Sequence, residues 1–301
     1  MRNWSMYIQS PEELDLTRKR VFSDKNNFFW KNVFNRVDKP KKILEVGCGG
    51  GILSRKMASI FSHSEIYGVD YDTGHIEYAR NKALSLGISN CIFEVADATN
   101  LPYQNSEFDI CISHTVMNFC EPHKFLSEQK RILKKGGLIV VCLAKSKRCI
   151  NPHIWMPESG LEYELLMKLK NAADSSTITN VTSYHTSEDE CLKYLHEEGF
   201  VNIDMQILPN IIYFPDSCEI SFDEGLEQIK DNLHLEEIYI EKLLRISPCA
   251  LSGQEISDLK NRMKERYNRR LEQYINHLKQ WDFSASLTFV ASAINPDRHE
   301  R

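Results

Sequence analysis

Ile43-Leu44-Glu45-Val46-Gly47-Cys48-Gly49-Gly50-Gly51-Ile52-Leu53 is the stretch on which the reading of this chain turns. Ile43 to Val46 is a short apolar run of strand length. The glycines after it let the backbone turn tightly and let a ligand lie against bare main chain. Ile52, Leu53, Met57 and Ile60 then recur at helical spacing, so a helix over Ile52–Phe61 follows the turn. The amino end of such a helix favours a carboxylate or a phosphate. Taken alone, the glycine cluster fits a plain strand-to-helix turn equally well.

Outward from this stretch, the same alternation continues. Glu65 to Val69 reads as a second strand and Gly74 to Leu86 as a helix. Cys91 to Val95 and Phe108 to Ile112 read as further strands. Pro122 to Leu133 reads as a helix stopped by Lys134-Lys135-Gly136-Gly137, and Leu138 to Leu143 as a fifth strand. Strand–helix alternation implies a mostly parallel sheet covered on both faces.

Beyond it the pattern changes. A helix is expected over roughly Glu158 to Ala173. Another opens with Ser187-Glu188-Asp189-Glu190, a capping box, and stops at Gly199. Val201 to Ile207 alternates as a strand with one exposed face. Residues 216–281 read as about three helical segments, broken near Leu233-His234 and Ser247-Pro248. Ser284 to Ala293 reads as a last strand. The expected organisation is an N-terminal lid segment over 1–40, a core over 41–215 and 282–296, and a helical cap inserted over 216–281.

Two carboxylates move the glycine turn toward function. Asp70 ends the second strand about 20 residues beyond the turn, where a carboxylate can accept both hydroxyls of a ribose. Asp97, in Val95-Ala96-Asp97-Ala98, follows the third strand and can accept from an exocyclic amine such as adenine's. Three such features at three successive strand ends converge on one crevice. A nicotinamide dinucleotide is disfavoured, because its loop needs glycine at the first, third and sixth positions. Counting from Gly47, the sixth position is Ile52.

The chain resembles the class I S-adenosylmethionine-dependent methyltransferases, in particular the small-molecule branch similar to the quinone-biosynthesis enzymes. The likeness rests on the glycine loop, Gly68-Val69-Asp70, Ala96-Asp97-Ala98-Thr99-Asn100-Leu101-Pro102, Phe108-Asp109-Ile110-Cys111-Ile112 and Leu133-Lys134-Lys135-Gly136-Gly137, with Glu197-Glu198-Gly199-Phe200 later. It implies a Rossmann-like, mostly parallel seven-stranded sheet with an antiparallel last strand, and S-adenosylmethionine as cofactor with S-adenosylhomocysteine as product. Glu45, Gly47, Cys48, Gly49 and Gly51 would hold its methionine half. Asp70 would hold the ribose, Tyr71 would pack on the adenine, and Asp97 and Ala98 would read the adenine edge. Arg18 and Tyr7, on a segment that closes over cofactor in similar enzymes, would add an ion pair and an aromatic contact.

Methyl transfer from a sulfonium is an in-line displacement with a leaving group already activated by its charge. Positioning supplies much of the catalysis, and a base is needed only if the acceptor must lose a proton. His114, just past the fourth strand, is the first candidate for a base or acceptor-positioning group. The alternative for it is a packing role against cofactor. His185, beside Tyr184, is the second, and His153 with Trp155 falls on the same acceptor side. No spacing supports a metal site. The basic run from Lys260 to Arg270 is interleaved with glutamates and reads as a solvated helix.

The net charge is −5, from 37 basic and 42 acidic residues, which lacks the surplus a general nucleic-acid binder uses. No run approaches the apolar length of a membrane span, and Met1 to Ser10 has no signal-peptide character. Nine cysteines without a CxxC pair point away from a disulfide framework. The expectation is a cytoplasmic enzyme, monomer or homodimer, methylating a small-molecule acceptor, with no nucleic-acid or membrane partner. The alternatives are methylation of a protein or RNA, and a SAM-binding module without catalysis.

Overall fold

The computed structural model describes residues 4–144, 160–176, 184 and 186–296. Among these the chain divides into two compact units. One falls within Ser10–Arg148, Val181–Asn210 and Leu287–Arg301. The other falls within Met1–Gln9, Cys149–Asn180 and Ile211–Ser286.

The first unit is built on a seven-stranded sheet of β1 (Lys42–Val46), β2 (Glu65–Asp70), β3 (Cys91–Val95), β4 (Phe108–His114), β5 (Leu133–Ala144), β6 (Val201–Tyr213) and β7 (Ser284–Ile294). Their order is β3-β2-β1-β4-β5-β7-β6. The pairs β1–β2, β2–β3, β1–β4 and β4–β5 are parallel, and β5–β7 is antiparallel. The direction of strand addition reverses between β1 and β4, which opens a crevice at the carboxyl ends of these strands.

Side chains alternate between two buried clusters, as a sheet covered on both faces requires. Cys111, Ile139 and Val141 join one cluster, with Phe125 and Leu195. Ile110, Ile112, Leu138 and Val140 join the other, with Trp30, Phe34 and Met57. The helices of this unit are α2 (Pro11–Arg18), α3 (Asn27–Phe34), α4 (Ile52–Ile60), α5 (Thr73–Ser85), α6 (Pro122–Ile132) and α8 (Glu188–Glu197). Their starts follow local chemistry. Asp72 caps α5 by accepting from the Gly74 and His75 N–H groups, and Ser187 with Glu190 forms the expected capping box of α8.

The second unit is helical: α1 (Trp4–Tyr7), α7 (Leu161–Asp174), α9 (Phe222–Ile246) and α10 (Gly253–Ile275). Its core joins Leu166, Leu169, Ile229, Ile240, Leu259 and Met263. Capping boxes at Ser221–Glu224 and Ser252–Glu255 start its two long helices.

Two expectations are corrected. The break near Leu233-His234 does not occur, because α9 runs unbroken through both residues. Leu233 packs on the unit's core while His234 stays half-buried beside Glu237, so helical periodicity is kept through a locally polar sequence. β6 runs past Ile207 to Tyr213, through Pro209. It is the outermost strand, and an edge strand tolerates a residue with no N–H to donate.

Candidate active site

The glycine loop turns as its residue types require. Gly47, Gly49 and Gly51 have φ of 71°, 52° and 78°, the left-handed region that side chains disfavour. Space is short as well as strain: a Cβ on Gly47 would collide with the Val116 side chain, and one on Gly51 would lie 2.7 Å from the Phe93 ring. The Gly47 and Cys48 N–H groups donate to Val69 O at 2.7 and 2.8 Å, tying the loop to the end of β2. Cys48 is buried, and burial lifts its thiol well above the ordinary range, so it is an inert packing group.

Glu45, at the end of β1, is 1% exposed. The Ser54 hydroxyl donates to its Oε2 at 2.5 Å. Burial pushes its pKa up to about 8, against the opposing pull of Ser54 and of the Arg18 and Arg55 charges. Without a cationic ligand, this carboxyl holds its proton at neutral pH.

Asp70 is set by its neighbours. Its Oδ2 accepts from Gly49 N–H at 2.9 Å and its Oδ1 from Asp72 N–H at 3.0 Å. The buried His75 lies against the same carboxylate, Nδ1 to Oδ1 at 3.2 Å. Asp97 is exposed, with Oδ1 accepting from the Thr99 N–H and hydroxyl at 2.8 and 2.7 Å. Ala98 packs on the sheet core, and Tyr71 is exposed.

His114 ends β4, is 4% exposed and packs edge-on to Phe22. Neither ring nitrogen has a hydrogen-bond partner among the described residues. Burial and the Arg18 charge pull its pKa well below the ordinary value, so the imidazole is neutral. The Ser113 hydroxyl and Asn118 Oδ1 are also buried without partners among the described residues.

Arg18 Nη2 donates to Thr115 Oγ1 at 2.8 Å; burial pulls its pKa below the ordinary value, against the opposing pull of the Glu45 and Asp70 carboxyls. Thr115 sits at φ 63°, a strained state for a β-branched residue. Its hydroxyl donates to His114 O at 2.6 Å and its N–H to Cys142 O at 2.9 Å, so three bonds hold the strain in place beside the histidine.

Sequence reasoning missed how α2 is fastened to the loop. Arg55 pairs with Asp15 at 2.6 Å and donates to Gly50 O at 2.5 Å, while the buried Leu14 lies where a Cβ on Gly49 would go. The signal was present: Ser10 caps Glu13 N–H with Pro11 in the first turn, which marks a helix start. Thr115 and His75 carried no sequence signal, since each matters through a neighbour.

The site residues named from sequence fall in three groups. Glu45, the glycines, Cys48, Asp70, Tyr71, Asp97, Ala98, Arg18 and His114 all belong to the sheet unit, on the loop, at strand ends or on α2. Tyr7 packs instead against the core of the helical unit. His185, His153 and Trp155 lie outside the described residues. Tyr184 is exposed and its N–H donates to Asn118 O at 2.8 Å. No group of three or more His, Cys, Asp or Glu side chains is placed to hold a metal among the described residues.

A family described as "Methyltransferase domain" matches residues 37–199. The chain belongs to this family. A demethylmenaquinone methyltransferase of Clavibacter sepedonicus is 34% identical over 121 residues, 39% of this chain and 48% of that protein. One from Staphylococcus aureus (strain JH9) is 26% identical over 204 residues, 65% of this chain and 78% of that one. Among solved structures, a Haemonchus contortus phosphoethanolamine N-methyltransferase 2, bound to phosphomonomethylethanolamine and S-adenosylhomocysteine, superposes with a TM-score of 0.53 at 17% identity. That match covers 98% of this chain and 60% of the other, and it shows a shared fold. The chain thus spans about half of the first relative and most of the second.

Proposed function

We propose that this methyltransferase acts on a small-molecule acceptor, in the manner of the quinone-type substrates named for its relatives, and that the crevice at the ends of β1, β2 and β4 is its active site. The observation that carries the reading is the set of polar groups there with unspent bonding capacity. Glu45 is buried and protonated, Asp70 is held by three neighbours with lone pairs to spare, and the buried His114 has no bond to its ring nitrogens among the described residues.

The bound sulfonium supplies an electrophilic methyl group with a neutral leaving group. Glu45 accepts the methionine ammonium, which favours its ionised form and offsets its burial. Arg18 pairs with the methionine carboxylate. Asp70 accepts the ribose hydroxyls, Asp97 and Ala98 read the adenine edge, and Tyr71 packs on the ring. His114, neutral, accepts a proton from an acidic acceptor hydroxyl or positions it, since a neutral imidazole has a free lone pair. The proposal includes a cytoplasmic setting, with monomer or homodimer as the assembly. It also retains the lid, core and helical insertion as functional divisions. No helix of the described residues is long and apolar enough to cross a membrane.

The test is calorimetric titration of wild type and Asp70→Ala with S-adenosylmethionine and S-adenosylhomocysteine. Product mass spectrometry with demethylmenaquinone and other phenolic acceptors follows. Asp70→Ala should weaken binding at least tenfold, about 1.4 kcal/mol. A folded wild type that binds neither ligand would overturn the site assignment. Methylation of protein or RNA with none of any small molecule would overturn the acceptor class.

A further inference from the structure

β4 ends at His114, and the chain turns away from the sheet at Thr115 with φ of 63°. Glycine enters that region freely, as Gly47, Gly49 and Gly51 do in the loop after β1. A β-branched residue enters it only under strain, because its Cβ crowds the main chain. A backbone shape that glycine would satisfy is therefore held by threonine, and the side chain supplies the reason.

The Thr115 hydroxyl bonds in two directions. It donates its proton to His114 O at 2.6 Å, and its oxygen accepts from Arg18 Nη2 at 2.8 Å. From the other side the Thr115 N–H donates to Cys142 O on β5 at 2.9 Å. The turn is thus pinned to the sheet through main chain and reaches α2 through one oxygen. Arg18 is the last residue of α2, and the Glu45 and Asp70 carboxyls act on its charge. The helix itself is fastened to the glycine loop by Arg55, which pairs with Asp15 and donates to Gly50 O. The Arg18 side chain crosses from the helix end to the strand end, and Thr115 Oγ1 is the acceptor that meets it there. Neither glycine nor valine has such an oxygen.

We propose that Thr115 is a positioning residue for cofactor binding. Its hydroxyl engages Arg18 Nη2 and so aims the rest of the guanidinium at the carboxylate of the methionine half. A guanidinium held in place beforehand loses little freedom on binding, and its planar fork matches a carboxylate. The strained backbone at Thr115 is what it takes to place an oxygen at that point. The proposal rests on the assignment of Arg18 to the methionine carboxylate. It adds a determinant of which sulfonium the site prefers: the one that carries a carboxylate over the same compound without it.

The test is calorimetric titration of wild type, Thr115→Val, Thr115→Gly and Thr115→Ser with S-adenosylmethionine and with its decarboxylated form. The second ligand keeps the sulfonium, ribose and adenine and lacks the carboxylate. Thr115→Val removes the hydroxyl and keeps the branch, whereas Thr115→Gly removes the hydroxyl and relieves the strain. Both should weaken S-adenosylmethionine about tenfold or more, the loss expected for a misdirected charge-assisted pair. Thr115→Ser keeps the hydroxyl and should restore most of the affinity. All four proteins should bind the decarboxylated form alike, which a merely structural role for Thr115 would not give. Near-ultraviolet circular dichroism checks folding; should Thr115→Val fail it, Thr115→Gly, free to adopt φ 63°, carries the comparison. Unchanged S-adenosylmethionine affinity in the variants without the hydroxyl would overturn the proposal, and so would an equal loss for both ligands. Asp70→Ala separates this role from the site itself. If it weakens both ligands while the Thr115 variants weaken neither, the crevice binds cofactor and only the role of Thr115 is refuted. A folded wild type that binds neither ligand would overturn both.

Discussion

Replacing Glu45 by Gln should change how stability responds to pH before it changes anything else. The folded state holds the Glu45 proton up to a pKa of about 8, whereas the unfolded chain releases it near 4.3. A carboxyl raised in this way costs the fold stability as pH climbs from the unfolded value through the folded one, since the native state binds the extra proton. Each pH unit costs about 1.4 kcal/mol for one full proton, and on average about 0.7 proton is held between pH 6.5 and 8.5. The wild type therefore loses about 2 kcal/mol over that window through this residue, and Glu45→Gln loses none of it. The His114 contribution cancels, because both proteins carry it. The assay is urea unfolding of the cofactor-free protein at both pH values, followed by tryptophan fluorescence, with Trp30 fully buried in the sheet unit as reporter. The Gln variant should already lead at pH 6.5, which lies above the unfolded carboxyl's pKa, and its lead should widen by about 2 kcal/mol by pH 8.5. A gap that stays constant or narrows would refute the assignment of a protonated Glu45. The Gln variant should also bind cofactor more weakly, because it cannot ionise against the methionine ammonium.

Three other outcomes follow from the same geometry. His114→Phe removes two unbonded buried nitrogens while keeping the edge contact with Phe22; thermal melting should show a gain of about 1 kcal/mol, with turnover lowered. Gly47→Ala forces a side chain into φ 71° against Val116, so denaturation should report a loss of about 1–3 kcal/mol. Asp15→Ala strands the buried Arg55 guanidinium, at a cost of about 3 kcal/mol, and limited trypsin digestion should cut faster at Lys19 or Arg20 as α2 loosens.

The sheet unit was legible because its signals are local and repeated. Short apolar strands alternate with amphipathic helices, several of which carry their own caps, and Asp70 and Asp97 fall at strand ends where position alone gives them meaning. The helical unit was harder. Leu233-His234 looked like a break, but tertiary packing carries α9 through it. The pairing of Arg266 with Glu162 and Glu236, residues far apart in sequence, turned a run read as a solvated helix face into a partly buried network. Within the site, chemistry-bearing residue types could be named in advance. The strain at Thr115 and the bonds that orient Asp70 could not, because they depend on backbone geometry rather than residue type.

The strand order has a consequence for synthesis of the chain. β7 lies between β5 and β6, so the sheet's interior is completed by a segment made after both of its neighbours. About 140 residues separate the end of β5 at Ala144 from the start of β7 at Ser284. At about 5–20 residues per second, the apolar edge of β5 waits roughly 7–28 s on the ribosome for its neighbour. During that interval the nascent chain presents an unpaired, hydrophobic strand edge of the kind that recruits chaperones or other copies. Messages cut short before Ser284 would leave that edge open permanently, and their products should accumulate as aggregates rather than as a smaller folded enzyme.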